Sequence, residues 1–413
     1  MNKIKECAVY CLNCKTKPCS NKGCPIQTNI PEFIMEVKNE NYEKAYQILQ
    51  ENNIFSYVCS IVCPQEEQCE GSCVRGIKSE PTHIGKLEKF VNEYAIENKF
   101  KFEFPKKELN GKKVAIIGSG PAGIECAVEL LKEGFEVDIY EKDKIPGGIL
   151  VYGIPDFRLS KNIVEDIINK VKALGANFIL NTEFGKDINL EELKHKYDAV
   201  FLGIGAPKPS TYSLSEESLN SVYESDVFLR KYSQKETIKD LGTVVVIGGG
   251  NVAMDCARTA VKMGADKVKI LYRRDRCHMP AREVELDEAL QDGVEFKELT
   301  RVVSANSNDG RIESVNCVRT EIVDGKAKDI ENAEEFEETA NTVIFAIGLK
   351  PDKTLISNQG IELDDWGYIK INKDGQTNIE KVYAGGDVVE SKATVCRALA
   401  AGKKAALGII KNI

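Results

Sequence analysis

Residues 112–141 read KKVAIIGSGPAGIECAVELLKEGFEVDIYE. An apolar run from Val114 to Ile117 leads into Gly118, Gly120 and Gly123 at G-x-G-x-x-G spacing. A helical stretch follows, and a second apolar run, Val137 to Tyr140, ends in Glu141. Strand, glycine turn, helix and strand in that order predict a βαβ unit of a parallel sheet. Its glycines allow a tight turn and let a pyrophosphate approach the backbone where Pro121 and Ala122 open the helix. A carboxylate after the second strand can hold a ribose hydroxyl, and Lys142 beside it is assigned to the same site. A glycine triplet alone is a weak signal, whereas these features in sequence are a strong one.

The pattern recurs in TVVVIGGGNVAMDCARTAVKMGADKVKILYRRDR, residues 243–276. Gly248 and Gly250 follow a strand, Asn251, Val252 and Ala253 open a helix, and the next strand runs out at Arg273 and Arg274 instead of an acid. A carboxylate there would repel a 2′-phosphate, while a guanidinium would grip it in a fork. The second site is therefore better built for NADP than for NAD. The competing reading is that both arginines only solvate a surface turn.

A chain of 413 residues is expected to form two or three domains. A formal net charge of −8 argues against binding nucleic acid, which needs a positive face. No apolar run approaches the roughly 20 residues of a membrane helix, and the charged start MNKIKE has no signal-peptide core. The expectation is a cytoplasmic protein with no membrane partner.

Nine of the 14 cysteines lie within the first 73 residues. Cys11, Cys14, Cys19 and Cys24 are spaced C-x2-C-x4-C-x4-C-P, and Cys59, Cys63, Cys69 and Cys73 are spaced C-x3-C-x5-C-x3-C. In a reducing compartment this density reads as metal ligation. Between the groups, apolar residues at helical spacing predict two short helices. Spacing alone fits either structural zinc or iron–sulfur clusters. Cys126, Cys256, Cys277, Cys317 and Cys396 read as solitary core thiols.

In KVYAGGDVVESKATVCRALAAGKKAALGII, residues 381–410, Gly386 and Asp387 follow a strand and precede a helix. This is similar to the flavin motif of flavoprotein reductases with two dinucleotide domains. The resemblance implies that Asp387 binds the FAD ribityl chain and that the backbone at Thr394 and Val395 faces the flavin ring, where a helix dipole favours negative charge. Phe345 to Gly348 resembles the point at which the chain re-enters the FAD domain. With no paired redox cysteine beside that motif, electrons need another exit, and the cysteine-rich segment supplies one.

Together with PGGILVYGIPDFRL (146–159) and YRRDRCHMPAREVE (272–285), these motifs resemble the family of the small (beta) subunit of bacterial glutamate synthase. Relatives in that family include the large subunit of NADH-dependent ferredoxin:NADP oxidoreductase and the amino-terminal part of dihydropyrimidine dehydrogenase. The resemblance implies an α/β fold: two Rossmann-like domains of the glutathione/thioredoxin reductase kind preceded by an α-helical iron–sulfur domain. The expected boundaries are 1–105 for the cluster domain, 106–206 with 346–413 for the FAD domain, and 207–345 for the NADP domain. It further implies FAD, NADPH and two [4Fe–4S] clusters, with electrons passing from NADPH through flavin and clusters to a larger catalytic subunit or a ferredoxin-type carrier.

By the same resemblance Cys11, Cys14, Cys19 and Cys73 hold one cluster, and Cys24, Cys63 and Cys69 the other, whose fourth ligand is Glu88 or Cys59. Gly147 and Gly148 bring backbone close to the flavin, and Arg158 lies beside it or only holds a loop. His83, His195 and His278 lack triad or ligand spacing, so no catalytic acid, base or nucleophile is assigned. An alternative of another class is a zinc-stabilised flavoprotein with no electron exit.

Overall fold

The computed structural model describes residues 2–210, 214 and 219–413. By contacts the chain forms two compact units: residues 1–151, 158–206 and 350–413 make the first, and 152–157 with 207–349 make the second.

The first unit begins with helices α1 (Asn2–Tyr10), α2 (Ile30–Lys38), α3 (Tyr42–Asn52), α4 (Ser56–Val62) and α5 (Ile84–Glu97). The two helices expected between the cysteine groups are α2 and α3, parted by the polar Asn39–Asn41 turn. Phe33, Leu49, Leu87 and Val91 are fully buried in their common core, each contributing about 1.5–3 kcal/mol of apolar burial. Tyr42, Phe90, Tyr94 and Phe100 stack along one edge of it.

Next come β1 (Lys113–Ile117), α6 (Pro121–Lys132), β2 (Glu136–Tyr140), the short α7 (Ile149–Tyr152), α8 (Lys161–Leu174), β3 (Asn177–Ile179), α9 (Leu190–Lys196) and β4 (Ala199–Leu202). β1 runs parallel to both β2 and β4. Its residues Val114 to Ile117 are buried on both faces, as a strand between helical layers must be. Gly175 ends α8 in the left-handed conformation, a helix stop that only glycine makes without strain.

The second unit holds β5 (Lys208–Pro209), β6 (Val222–Glu224), α10 (Ser225–Ser233), β7 (Thr243–Ile247), α11 (Asn251–Lys262), β8 (Lys267–Leu271), α12 (Glu283–Gln291), β9 (Glu295–Lys297), β10 (Thr300–Asn308), β11 (Arg311–Val323), β12 (Lys326–Asp329), β13 (Phe336–Thr339), β14 (Thr342–Phe345) and the start of β15 (Leu349–Lys350). Among the described residues its parallel sheet has the order β6-β14-β7-β8-β9, and a separate antiparallel sheet is built on β10, β11, β12 and β13. Phe345 thus closes a strand of this unit's sheet, and the first unit resumes at Lys350.

The last segment adds α13 (Lys353–Asn358), β16 (Val382–Ala384) and α14 (Val395–Asn412) to the first unit, completing a parallel sheet of order β16-β4-β1-β2-β3. In each sheet the order of strands reverses beside the strand that carries the glycines, at β1/β4 and at β7/β14. Ligands of open α/β sheets bind at the carboxyl ends of the strands at such switch points. Among the described residues no helix is long and apolar enough to cross a membrane.

Candidate cofactor and cluster sites

In the first unit, Gly118 follows β1 at φ +97°, and a Cβ there would lie 2.4 Å from the Gly203 carbonyl, so only glycine fits. Gly120 caps α6, with Pro121 at the first helical position. A Cβ on Gly120 would meet no protein atom within 4 Å. The helix therefore opens onto free space at the one fingerprint position where a pyrophosphate needs it. Gly123 is buried against Gly118 and Ile116. Glu141 is buried, and its carboxylate accepts hydrogen bonds from the Ser119 N–H and hydroxyl and from the Asp143 N–H. Lys142 is exposed.

The Gly147 N–H donates to Ser119 Oγ at 2.9 Å, and a Cβ on Gly148 would stand 3.1 Å from Gly120 Cα. The Pro146–Gly148 turn is thus folded onto the fingerprint loop. Gly386, at φ +80°, packs against Ala122, which sets Asp387 beside the start of α6. Burial pushes the Asp387 carboxyl up to about 6, with Glu390 adding to it. Thr394 caps α14, its hydroxyl accepting from the Arg397 N–H, and Val395 begins the helix. The donor set and the open cradle fit an FAD. Arg158 is half-buried. The preceding Tyr152–Phe157 stretch belongs to the second unit, where Tyr232 donates to Asp156 at 3.0 Å.

In the second unit Gly248 follows β7 and Gly250 caps α11, again with nothing within 4 Å of its missing Cβ. Asn251 and Val252 start the helix, Ala253 is buried, and Asn251 Oδ1 accepts the Arg282 N–H at 2.9 Å. The segment from Tyr272 to Arg282 folds back on the glycine loop, because Ala281 N–H also donates to Gly249 O. Arg273 is exposed and Arg274 half-buried at the end of β8. Among the described residues neither has a carboxylate partner, whereas Arg276 binds Glu283 and Asp287. Unneutralised guanidinium groups beside an open helix N-terminus fit a 2′-phosphate. Gly348 lies beyond β14 at φ +104°.

The thiols divide into two sets. Cys11, Cys14, Cys19 and Cys73 line one small pocket with Ile30, Ile34 and Ile84. The second set gathers Cys24, Cys59, Cys63, Cys69 and Glu88: Cys24 feels the charges of Cys59 and Glu88, Cys69 those of Glu88 and Cys24, and Cys63 that of Cys59. The two cysteine loops are in backbone contact, since a Cβ on Gly23 would sit 2.5 Å from the Gln68 carbonyl oxygen. Burial lifts Cys19 to about 11 and Cys24 to about 12, and it holds the buried Glu88 carboxyl well above the usual carboxylate range. Thiols and a carboxyl packed this densely, with Arg75 as a cation beside the first set, are the donor chemistry of a metal centre, whose positive charge would reverse these shifts. Both candidates for the eighth ligand, Cys59 and Glu88, are within this set.

Two thiols depart from the core-packing expectation. Cys277 is exposed. Cys396, in the first turn of α14, is buried but not solitary: its Sγ donates to Gln68 Oε1 at 3.0 Å. The Cys63 thiol, chiefly, lowers Cys396 to about 7. No local signal marks Cys396, because its partners are more than 300 residues away in the chain.

Residues 1–100 match the family described as dihydropyrimidine dehydrogenase domain II, 4Fe-4S cluster, and residues 112–404 match the pyridine nucleotide-disulphide oxidoreductase family. The chain is 35% identical to the glutamate synthase [NADPH] small chain of Escherichia coli (strain K12), over 98% of this chain and 90% of the relative. It is 34% identical to the NADP(+)-dependent formate dehydrogenase subunit beta of Moorella thermoacetica, over 95% of this chain but only 59% of that longer relative. The fold is shared with Mycobacterium tuberculosis FprA, solved in complex with NADPH. The TM-score is 0.63 at 22% identity, covering 73% of this chain and 84% of that one.

Proposed function

As the chain belongs to the family of the glutamate synthase small subunit, with a pyridine nucleotide-disulphide oxidoreductase domain behind a 4Fe-4S domain, we propose that it takes electrons from NADPH and delivers them singly to a partner protein. FAD, when bound, accepts a hydride and releases its electrons one at a time, and [4Fe–4S] clusters carry single electrons. The chain's own part is binding and orientation. Gly118, Gly120 and Gly123, with the α6 N-terminus and Glu141, hold the FAD pyrophosphate and ribose. Asp387 takes the ribityl chain, and the α14 N-terminus stabilises negative charge on the reduced ring. Gly248, Gly250 and the α11 N-terminus hold the NADPH pyrophosphate, and Arg273 and Arg274 its 2′-phosphate.

Cys11, Cys14, Cys19 and Cys73 hold one cluster; Cys24, Cys63, Cys69 and Glu88 hold the second. In this reading the chain has three functional parts: the cluster domain 1–105, the FAD domain 106–206 with 346–413, and the NADP domain 207–345. The observation that supports the electron exit lies inside the first unit: α14, the helix whose N-terminus would face the flavin, has Cys396 in its first turn, and Cys396 donates to Gln68, the residue before Cys69 of the second thiol set.

The relatives named as small or beta subunits support a larger partner subunit; a ferredoxin-type carrier is the second reading. The test is anaerobic addition of NADPH to the purified chain, with iron and acid-labile sulfide measured beside it. Bleaching of the flavin band in an iron- and sulfide-containing protein supports the proposal. Stoichiometric zinc, or a flavin that NADPH does not reduce, overturns it. Proteins that co-purify under anaerobic conditions then decide between subunit and carrier.

A further inference from the structure

Arg75 stands two residues after Cys73 and lines the same pocket as Cys11, Cys14, Cys19 and Cys73. Its Nε donates to the Tyr10 carbonyl at 2.9 Å, and its guanidinium lies 4.2 Å from the centre of the Tyr10 ring. Tyr10 directly precedes Cys11, so the cation is fixed to both ends of the first thiol set. Tyr10 is held in turn: its hydroxyl lies 2.8 Å from Ser79 Oγ and donates to the Glu80 carbonyl at 3.0 Å. Among the described residues no carboxylate pairs with Arg75, and the Glu80 carboxylate faces His83 instead.

The ligands themselves do not separate the two sets by charge. As assigned above, the first supplies four thiolates and the second three thiolates and the Glu88 carboxylate, four negative donors in each case. Arg75 breaks that balance. Its guanidinium keeps its charge at every working pH, whereas the charged neighbours of Cys24 and Cys69 in the second set are thiols and carboxyls. A fixed positive charge stabilises the reduced form of a cluster, which carries one more electron, above the oxidised form, and net charge is among the determinants of cluster potential.

The positions of the sets match this difference. The second is the one beside the proposed flavin helix, because Cys396 of α14 donates to Gln68 next to Cys69. The first reaches the surface, where Leu12 and Val74 of its lining are 49% and 38% exposed. On the cluster assignment made above, we propose that the Arg75 guanidinium holds the first cluster at a higher reduction potential than the second, so that electrons arriving from the flavin run from the second set to the first and leave the chain there.

The experiment uses the full chain, purified anaerobically, as the unsubstituted protein and as Arg75→Gln and Arg75→Lys. Glutamine keeps a donor for the Tyr10 carbonyl and loses the charge, while lysine keeps the charge. Iron and sulfide are counted per chain, and both midpoints are read by redox titration with low-temperature EPR. In Arg75→Gln the higher of the two midpoints should fall by the equivalent of about a tenfold change in the one-electron equilibrium, ~59 mV. The lower midpoint stays in place as an internal reference, and Arg75→Lys is expected to hold both near those of the unsubstituted protein.

Unchanged midpoints in Arg75→Gln overturn the inference, as does a fall in Arg75→Lys matching that in glutamine. A fall of the lower midpoint in place of the higher overturns the order of the two clusters. Loss of iron from Arg75→Gln also overturns it, by making Arg75 a support of the ligand loop. If glutamine prevents folding, Arg75→Met, which keeps the length of the side chain over the Tyr10 ring, takes its place. Absence of iron from the unsubstituted protein would instead sink the cluster reading itself, and this inference with it.

Discussion

The Glu141 carboxylate accepts the Ser119 backbone N–H at 3.0 Å and the Ser119 hydroxyl at 2.5 Å, so the acid that follows β2 and the loop that follows β1 are one hydrogen-bonded piece. Replacing Glu141 by Ala removes both the loop's anchor and the acceptor offered to the ribose. Hydrogen bonds to a charged acceptor contribute about 1.5–3 kcal/mol each, so FAD affinity should drop at least about tenfold. Flavin content as purified and FAD titration of the apoprotein measure this. Full FAD retention would show that the carboxylate has no part in binding.

Arg273 and Arg274 should discriminate between nucleotides. With both changed to Ala, the NADPH dissociation constant is expected to rise about 10- to 100-fold, the loss of a charge-assisted contact or two, while that for NADH changes by less than about threefold. Equal weakening of the two nucleotides would remove the 2′-phosphate from this site.

Iron content separates the two candidates for the eighth ligand. Glu88→Ala should lose about half the iron and sulfide, one cluster of two, whereas Cys59→Ala should keep both clusters. The reverse pattern would assign the ligand to Cys59, with Glu88 left as a buried acid beside it.

Glu125, buried in α6 with no hydrogen-bond partner for Oε2 among the described residues, makes stability depend on pH. Burial, with a contribution from Glu129, pushes its carboxyl up to about 8 from an ordinary value of 4.5. Above the ordinary value the unfolded chain has released this proton while the folded chain retains it. The folded state therefore binds more protons across that interval, and stability falls as pH rises from about 4.5 to about 8, then levels off. Glu125→Gln should abolish that slope and stabilise the protein at pH 8.5 relative to the parent by on the order of 1–4 kcal/mol. Thermal melts of both proteins at pH 5.5, 7 and 8.5 test it; parallel curves would show that Glu125 is solvated or paired in solution.

Much of the architecture could be read locally. Gly123 packs against Gly118 and Ile116 a few residues away, whereas Gly118 and Gly248 are held to glycine by the carbonyls of Gly203 and Ala346; the βαβ units were visible because the spacing of strand, glycines and helix is itself local. The cysteine sets were legible only with the help of a family resemblance, because Cys73 reaches Cys11 across more than 60 residues. Cys396 is buried as expected, but its bond to Gln68 was not legible for the same physical reason: nothing near it in the chain announces Gln68. The antiparallel sheet of β10 to β13 went unread, and the brief passage of Tyr152–Phe157 into the second unit has no compositional mark.

β16 pairs with β4, yet the two are separated by about 180 residues of chain. At ribosomal speeds of about 5–20 residues per second, β4 waits roughly 10 to 40 s for its neighbour, an exposed strand edge of the kind that recruits other chains. Asp387 and the α14 N-terminus arrive later still. The nucleotide pocket of the second unit can close before β16 and α14 have been made, but the proposed flavin pocket cannot. In that assignment flavin capture is the later of the two steps, and chaperone protection of the waiting β4 edge would raise the share of newly made chain that becomes holoprotein.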